Sequence, residues 1–310
     1  MSRRTPYPLD QCALYALTSP AMLAKRLGLP LADLEELANQ PDNYLVRPQE
    51  KPSGGTRWIE EPKARLQRIH GRVHQLLSRV DLPLYVHSVR KRHSYVTNAR
   101  QHLNNGEMVK LDVEKFYVNV RSGAVASFFE KQIRCAPDVA GLLARLLTYK
   151  GHLPTGSKSS PILSYFVHKG MFDELADLAI ALGLTMTLYV DDIVISGPGA
   201  HRGVLSEARR IVSKHGLRSH KLRHFAAKRP KIVTGVMVAN DGLRLPNRRH
   251  QRIKDGYTAL HRAVTPSEKL EVLNWLGSLV HEAAQIDPRH RPSAIQLDAL
   301  RRQLRHATAP

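Results

Sequence analysis

The tetrapeptide Tyr189-Val190-Asp191-Asp192 stands between two short apolar and β-branched runs, Thr185-Met186-Thr187-Leu188 and Ile193-Val194-Ile195-Ser196. Two runs of strand length around a turn predict a β-hairpin whose tip carries both carboxylates. Adjacent acids at such a tip repel each other unless a cation is present. Hard oxygen ligands of this kind suit a divalent magnesium site for phosphoryl or nucleotidyl transfer. An ordinary acidic turn is the competing reading, because aspartate is common in turns.

Composition narrows the choice. The 310 residues are 42% hydrophobic, enough for buried cores in one large or two to three smaller units. Lysine and arginine total 47 against 27 acidic residues, a net charge of +20 that calls for a polyanionic partner. Nucleic acid fits better than a membrane, since no run approaches the roughly 18 apolar residues of a spanning helix. Cys12 and Cys135 are too few for a zinc site of thiolates or a disulfide scaffold. The basic N-terminus precedes only a short apolar run, Cys12–Leu17, which makes a poor signal-peptide core, so the expected location is cytoplasmic. The 16 histidines show no metal-ligand spacing.

Along the chain, Ser19-Pro20 opens a helix that stops at Gly28, and a second helix is predicted from Ala32 to Asn39. The pair resembles the opening of a helix-turn-helix. Pro52, Ser53, Gly54 and Gly55 mark a boundary before the extended Thr56–Glu60, read as a basic strand or hairpin. Leu66, Ile69, Val73, Leu76 and Leu77 recur at helical spacing, and Arg65, Arg68 and Arg72 either line a nucleic-acid channel or form a solvated face. Met108–Val113 predicts a buried strand with Asp112 near its end. Helices are expected over Ser122–Cys135, Pro137–Tyr149 and Gly203–Lys214, with one long helix over Pro161–Leu182. Val233–Val238 reads as a single strand before the turn signal Asn240-Asp241-Gly242. After Pro246 the chain turns basic and helical, with helices at about Ser267–Ala284 and Pro292–Arg305.

Strand pairing can bring Asp112 to Asp191 and Asp192. Two such carboxylates bridged by two magnesium ions about 3.5–4 Å apart would activate a hydroxyl nucleophile and stabilise departing pyrophosphate. Between them, Leu153–Pro161 is a glycine- and serine-rich turn whose backbone can approach a base pair or phosphate.

Taken in order, these motifs resemble a reverse transcriptase, and within that superfamily the bacterial retron type. Leu111–Tyr117 is similar to the first catalytic motif, Leu153–Pro161 to the template-and-nucleotide motif, and Tyr189–Asp192 to the YxDD box. Asn98–His102 resembles the NAxxH element, Val233-Thr234-Gly235 the VTG signature, and Gly54–Arg57 with Pro62 the entry to the fingers. The likeness runs from about Leu23 to Pro288. It implies an α+β right-hand polymerase with fingers, an antiparallel palm sheet and a helical thumb. The implied division is a helical extension over 1–47, fingers over 48–107, palm over 108–242 with an insertion at about 122–158, and thumb over 243–310.

The resemblance also implies roles. Asp112, Asp191 and Asp192 are the expected catalytic residues. With Val113 they are expected to form the metal site, taking two Mg2+ ions or Mn2+ as a substitute. Arg57, Tyr117, Thr155 and Gly156 are the expected nucleotide-binding residues, Tyr117 as an aromatic gate against a ribose 2′-hydroxyl or, alternatively, as core packing. Asn98, His102, Ser160, Pro161, Thr234, Gly235, Arg248 and Arg249 are the expected nucleic-acid contacts, with Arg252, Lys254 and His261 in the basic thumb. Thr155 replaces the glutamine common in the family. The Leu217–Phe225 region lacks the usual asparagine-to-lysine spacing, leaving Lys221 and Arg223 as alternatives for assisting pyrophosphate departure. The implied activity is RNA-directed DNA synthesis, copying a cognate structured non-coding RNA into single-stranded, branched RNA-linked DNA in antiphage defence. The implied partners are that RNA, its cDNA, dNTPs and a separate effector or toxin protein, with no membrane. A diversity-generating or abortive-infection polymerase, or a non-catalytic nucleic-acid-binding regulator, are the alternatives.

Overall fold

A computed structural model of the chain describes residues 5–51, 54–104, 106–227, 229–239 and 241–307. Pro52 and Ser53 of the expected boundary, and Asn240 of the expected turn, lie outside the described residues.

Helix α1 (Pro20–Leu27) starts at Ser19, whose hydroxyl accepts from the Met22 amide, and ends at Gly28 in the left-handed conformation. α2 (Leu31–Asn39) leads into strand β1 (Tyr44–Glu50), which pairs with β2 (Thr56–Pro62) in a two-stranded ribbon. β1 carries Pro48, a residue tolerated only at strand edges, which hid the strand from the sequence reading. α3 (Ala64–Leu77) and α4 (Tyr95–Arg100) precede β3 (Glu107–Val113). Then come α5 (Phe116–Asn119), α6 (Ser122–Ser127), a π-helical turn at Phe128–Gln132, and α7 (Pro137–Leu147). The long helix expected over Pro161–Leu182 is two helices, α8 (Ser160–Val167) and α9 (Lys169–Ala181), divided at His168. The break lets α8 pack on α5 and α6 while α9 turns to the sheet and the helix behind it.

β4 (Thr185–Tyr189), β5 (Asp192–Gly197), α10 (Arg202–Lys214) and β6 (Ser219–Phe225) complete the central sheet, whose order is β4-β5-β3-β6, antiparallel throughout. The expected single strand Val233–Val238 is instead a hairpin of β7 (Lys231–Val233) and β8 (Val236–Ala239), extended by β9 (Gly242–Arg244). Thr234 and Gly235 both take positive φ, 45° and 78°, the backbone of a two-residue hairpin turn. α11 (Asn247–Arg262), α12 (Pro266–Ile286) and α13 (Arg291–Ala307) form the helical C-terminal unit, with α12 opened by a Thr265–Glu268 capping box.

Alternation along the central strands sorts two cores. Val109, Leu111, Val113, Ile193 and Ile195 face the larger core, backed by α9 and α10. Met108 and Val194 face the other side, where they join Val96 and Ala99 of α4 and the apolar residues of the C-terminal unit. α1 and α2 send Leu23, Leu27, Leu34 and Leu37 into the larger core and pack on α7. A strand rather than a recognition helix follows them, so the helix-turn-helix reading is not carried. Among the described residues no helix is long and apolar enough to cross a membrane.

Candidate active site

The sheet register places Asp112 directly opposite Asp192. Both are therefore on one face, together with Lys110 and Val194 one pleat further along. Asp191 sits at the hairpin tip, and its carbonyl accepts from the Val113 amide at 3.1 Å, tying the tip to the end of β3. Val190 holds φ 63°. A β-branched residue in the left-handed region is strained, by about 1–3 kcal/mol, and such strain concentrates at functional sites.

Crowding sets the electrostatics. Burial, then the charge of Asp112 against it, pushes the Asp191 carboxyl up to about 7. Burial also raises Asp192, opposed by the Lys110 ammonium. Lys110 Nζ lies 2.7 Å from Asp192 Oδ2, and Lys221 Nζ lies 2.8 Å from Asp112 Oδ2. The two pairs differ in environment. Lys110 and Asp192 are both largely buried, whereas the Lys221 side chain is 59% exposed, so its pair is screened and cheap to break.

Among the described residues no three acidic, histidine or cysteine side chains form a ready-made cation cage. The donor set nevertheless fits a hard divalent ion. Asp112 Oδ1 and Asp192 Oδ1 are buried and accept no hydrogen bond, because a carboxylate cannot donate to its neighbour while both are ionised. Release of Lys221 would add Asp112 Oδ2. The Val113 side chain is fully buried and apolar, leaving only its backbone carbonyl as a possible ligand.

Tyr117 is half-buried next to Phe116, with ring centroids 6.1 Å apart, and its hydroxyl is pushed up first by burial and then by the Asp191 charge. The Arg57 charge acts in the opposite sense on Tyr117. Thr155 Oγ1 donates to Trp58 O at 2.8 Å and accepts from the Glu60 amide at 3.0 Å. The Gly156 amide donates to Glu60 O at 3.0 Å. The close approach expected of this loop is thus made to strand β2, not left open for a base pair. The loop is braced from below by His70. Burial lowers that imidazole to about 4, so its neutral ring donates from Nε2 to Leu146 O at 2.9 Å and accepts at Nδ1 from one hydroxyl of the Ser157–Ser159 pair, whose oxygens are themselves hydrogen-bonded at 3.0 Å.

Several expected nucleic-acid contacts have no surface to offer. Asn98 and Ser160 are fully buried and His102 is 2% exposed. Ser160 Oγ donates to Pro154 O at 2.6 Å, and Ser160 and Pro161 form the start of α8. Asn98 has neither amide atom hydrogen-bonded. Thr234 Oγ1 donates to Tyr95 O at 2.8 Å, so the turn at Thr234-Gly235 holds the first turn of α4. Arg249 stacks over the Tyr95 ring at 5.2 Å and pairs with Glu282 at 3.0 Å, joining α4, α11 and α12. Arg248, Arg252 and Lys254 remain exposed. Sequence reasoning missed Lys110 at this site. Its signal was the period of two, which puts it on the face of Asp112.

The family model for reverse transcriptase (RNA-dependent DNA polymerase) matches residues 49–236. The chain is 28% identical over 164 residues to the Retron Se72 reverse transcriptase of Salmonella heidelberg (strain 579083-10), covering 52% of this chain and 42% of that protein. It is 25% identical over 275 residues to the Retron Ec48 reverse transcriptase of Escherichia coli, covering 82% and 66%. The chain thus spans less than two thirds of the length of these first relatives. Among solved structures, a foamy viral protease-reverse transcriptase in complex with double-stranded DNA aligns with a TM-score of 0.44 at 14% identity, covering 89% of this chain and 42% of that one. A telomerase from Candida albicans aligns with a TM-score of 0.48 at 11% identity, covering 82% and 56%. The family match spans β2, the central sheet and the acidic hairpin, and on it the chain belongs to the reverse transcriptase family, with bacterial retron reverse transcriptases among the proteins it is similar to.

Proposed function

We propose that the chain is an RNA-directed DNA polymerase that extends a primer 3′ end with deoxynucleotides on an RNA template. The observation that carries this reading is the facing of Asp112 and Asp192 across β3 and β5, with Asp191 beside them and two buried carboxylate oxygens left without donors. Asp112, Asp191 and Asp192, with the Val113 carbonyl, would hold two Mg2+ ions, which Mn2+ can replace. Bound ions would supply Lewis-acid activation of the attacking hydroxyl and neutralisation of the departing pyrophosphate.

The chain's own residues do the rest. Lys110 keeps Asp192 paired and oriented, while Lys221, released from Asp112, is free to meet phosphate charge. That choice favours Lys221 over Arg223 for assisting pyrophosphate departure. Arg57 reaches the triphosphate, and Tyr117 stacks where a 2′-hydroxyl would project. Thr155 and Gly156 shape the nucleotide site by fixing the loop to β2. Arg248, Arg252 and Lys254 track the backbone of the template–product duplex. In this reading the ribbon and α3 serve as fingers, the central sheet as palm and α11–α13 as thumb.

The retron character extends the proposal to a cognate structured non-coding RNA that serves as template and primer, a branched RNA-linked DNA product, and a separate effector or toxin protein in antiphage defence. The free, buried thiols of Cys12 and Cys135 accord with a reducing cytoplasm. Sequencing of nucleic acid that copurifies with the chain tests this extension: short cDNA joined to one RNA supports it, and unlinked, heterogeneous RNA refutes it.

A further inference from the structure

His102 has no solvent to act through, yet both of its ring nitrogens are used. Nδ1 lies 2.6 Å from Ser196 Oγ and Nε2 lies 2.7 Å from Thr187 Oγ1. Thr187 is on β4 and Ser196 on β5, the two arms of the hairpin that ends in Asp191 and Asp192. The register pairs Thr187 with Val194 and Thr185 with Ser196, so both hydroxyls project from the face that carries Asp192. His102 lies one residue past the Gln101 cap of α4, and α4 is itself held: Ser94 and Thr97 cap its start reciprocally, and Thr234 donates to the Tyr95 carbonyl.

We propose that His102 is a positioning residue for nucleotidyl transfer, a buried clamp that fixes β4 against β5 and so sets the placement of Asp191 and Asp192. The role rests on the polymerase reading above and replaces direct nucleic-acid contact as the task of this motif position. Burial keeps the imidazole neutral, so one nitrogen donates and the other accepts. Both hydroxyls can therefore be satisfied at once, and neither phenylalanine nor leucine can reproduce the pattern. The lever arm is short, because Thr187 is four residues before Asp191 and Ser196 four after Asp192. A hairpin free to shear by about 1 Å would misplace both carboxylates, a displacement that costs on the order of 100-fold in rate.

The test compares wild type with His102→Phe, His102→Gln, the pair Thr187→Val/Ser196→Ala, and the combination of that pair with His102→Phe. Single-turnover dNTP addition on an RNA template–primer gives the rate constant, and titration of the same duplex gives its Kd. Hydrogen exchange at the Thr185–Ser196 amides reports on the clamp without any turnover. The expected result is a roughly 10- to 100-fold lower rate constant for His102→Phe with Kd within about twofold, partial recovery in His102→Gln, and faster exchange in the hairpin. Added to the Thr187→Val/Ser196→Ala background, His102→Phe should change the rate by less than about twofold, the non-additivity of one shared network. A loss confined to Kd, a multiplicative loss in the combined variant, or unaltered hairpin exchange overturns the clamp. Wild type that extends no primer but shows the exchange pattern overturns the polymerase reading and leaves the clamp standing.

Discussion

Replacing Gly156 with alanine should loosen the loop from the ribbon, and the structure sets the size of the effect. A Cβ at residue 156 would lie 2.8 Å from Glu60 O, 3.0 Å from Glu61 Cα and 3.1 Å from Glu60 C. All three are backbone atoms, so no side-chain rotation relieves the contact. Reaching ordinary van der Waals separation requires the loop to retreat by about 0.6 Å or more. That movement stretches the 3.0 Å Gly156–Glu60 hydrogen bond and strains the two bonds of Thr155. Overpacking of this kind costs about 1–3 kcal/mol, with a weakened hydrogen bond adding up to about 1 kcal/mol. Differential scanning calorimetry should show Tm lower by several degrees, at roughly 2–4 °C per kcal/mol. Primer-extension kinetics should show a higher KM for dNTP. Gly277 supplies the control, since it lies inside α12 and an added Cβ meets nothing within 4 Å. Alanine there should stabilise by about 0.5–1 kcal/mol through helix propensity. Wild-type Tm and KM in Gly156→Ala would refute the inference that this glycine exists to let the loop close on β2.

Three further outcomes follow from the site. Tyr117→Ala should raise ribonucleotide incorporation relative to deoxynucleotide, measured by competition with one template; unchanged sugar selectivity would assign Tyr117 to packing alone. Lys221→Met should tighten divalent-ion binding in the absence of nucleotide, by up to about fivefold given the modest worth of an exposed pair, while slowing turnover. Calorimetric titration showing weaker ion binding would contradict the competition between Lys221 and metal for Asp112. Acid should destabilise the chain: burial lowers His70 to about 4 and His102 to about 3, whereas the unfolded imidazoles protonate at about 6.5. The unfolded state therefore binds more protons between these values, so this stability is complete above about pH 6.5 and declines as pH falls toward 3–4. Tm measured against pH should fall over that range, with a shallower slope in His102→Gln, and a flat profile would exclude the neutral-imidazole account.

The strands that carry the acids were legible because their signal is local. Short apolar and β-branched runs on either side of Tyr189–Asp192 and before Asp112 mark the elements, and the pairing register then sets the face on which Asp112 and Asp192 lie. The N-terminal helices were equally plain, since Ser19 and Gly28 mark both ends of α1. What escaped the sequence depends on tertiary contact. β6 is mostly polar, His220-Lys221-Leu222-Arg223-His224, and becomes a strand by pairing with β3 through a bulge at Lys221, where φ is 50°. The division of α8 from α9 follows from what each helix packs against. The motif residues Asn98, His102 and Ser160 carry polar side chains that read as contacts for a ligand, and only burial reveals that two of them bond within the protein. Arg249 is similar: a guanidinium on a basic helix, turned inward to Tyr95 and Glu282.

The central claim is that Asp112, Asp191 and Asp192 form one metal-dependent centre for DNA synthesis on RNA. Its most direct measurement is extension of a labelled primer on an RNA template with dNTPs and Mg2+, comparing wild type with Asp191→Asn/Asp192→Asn at matched folding and template affinity. The account predicts template-directed extension by wild type that is abolished by chelation and reduced by at least about 1,000-fold in the variant, the scale of removing the charge that organises a two-metal site. Extension that persists in the variant, or that continues without divalent ion, would contradict it.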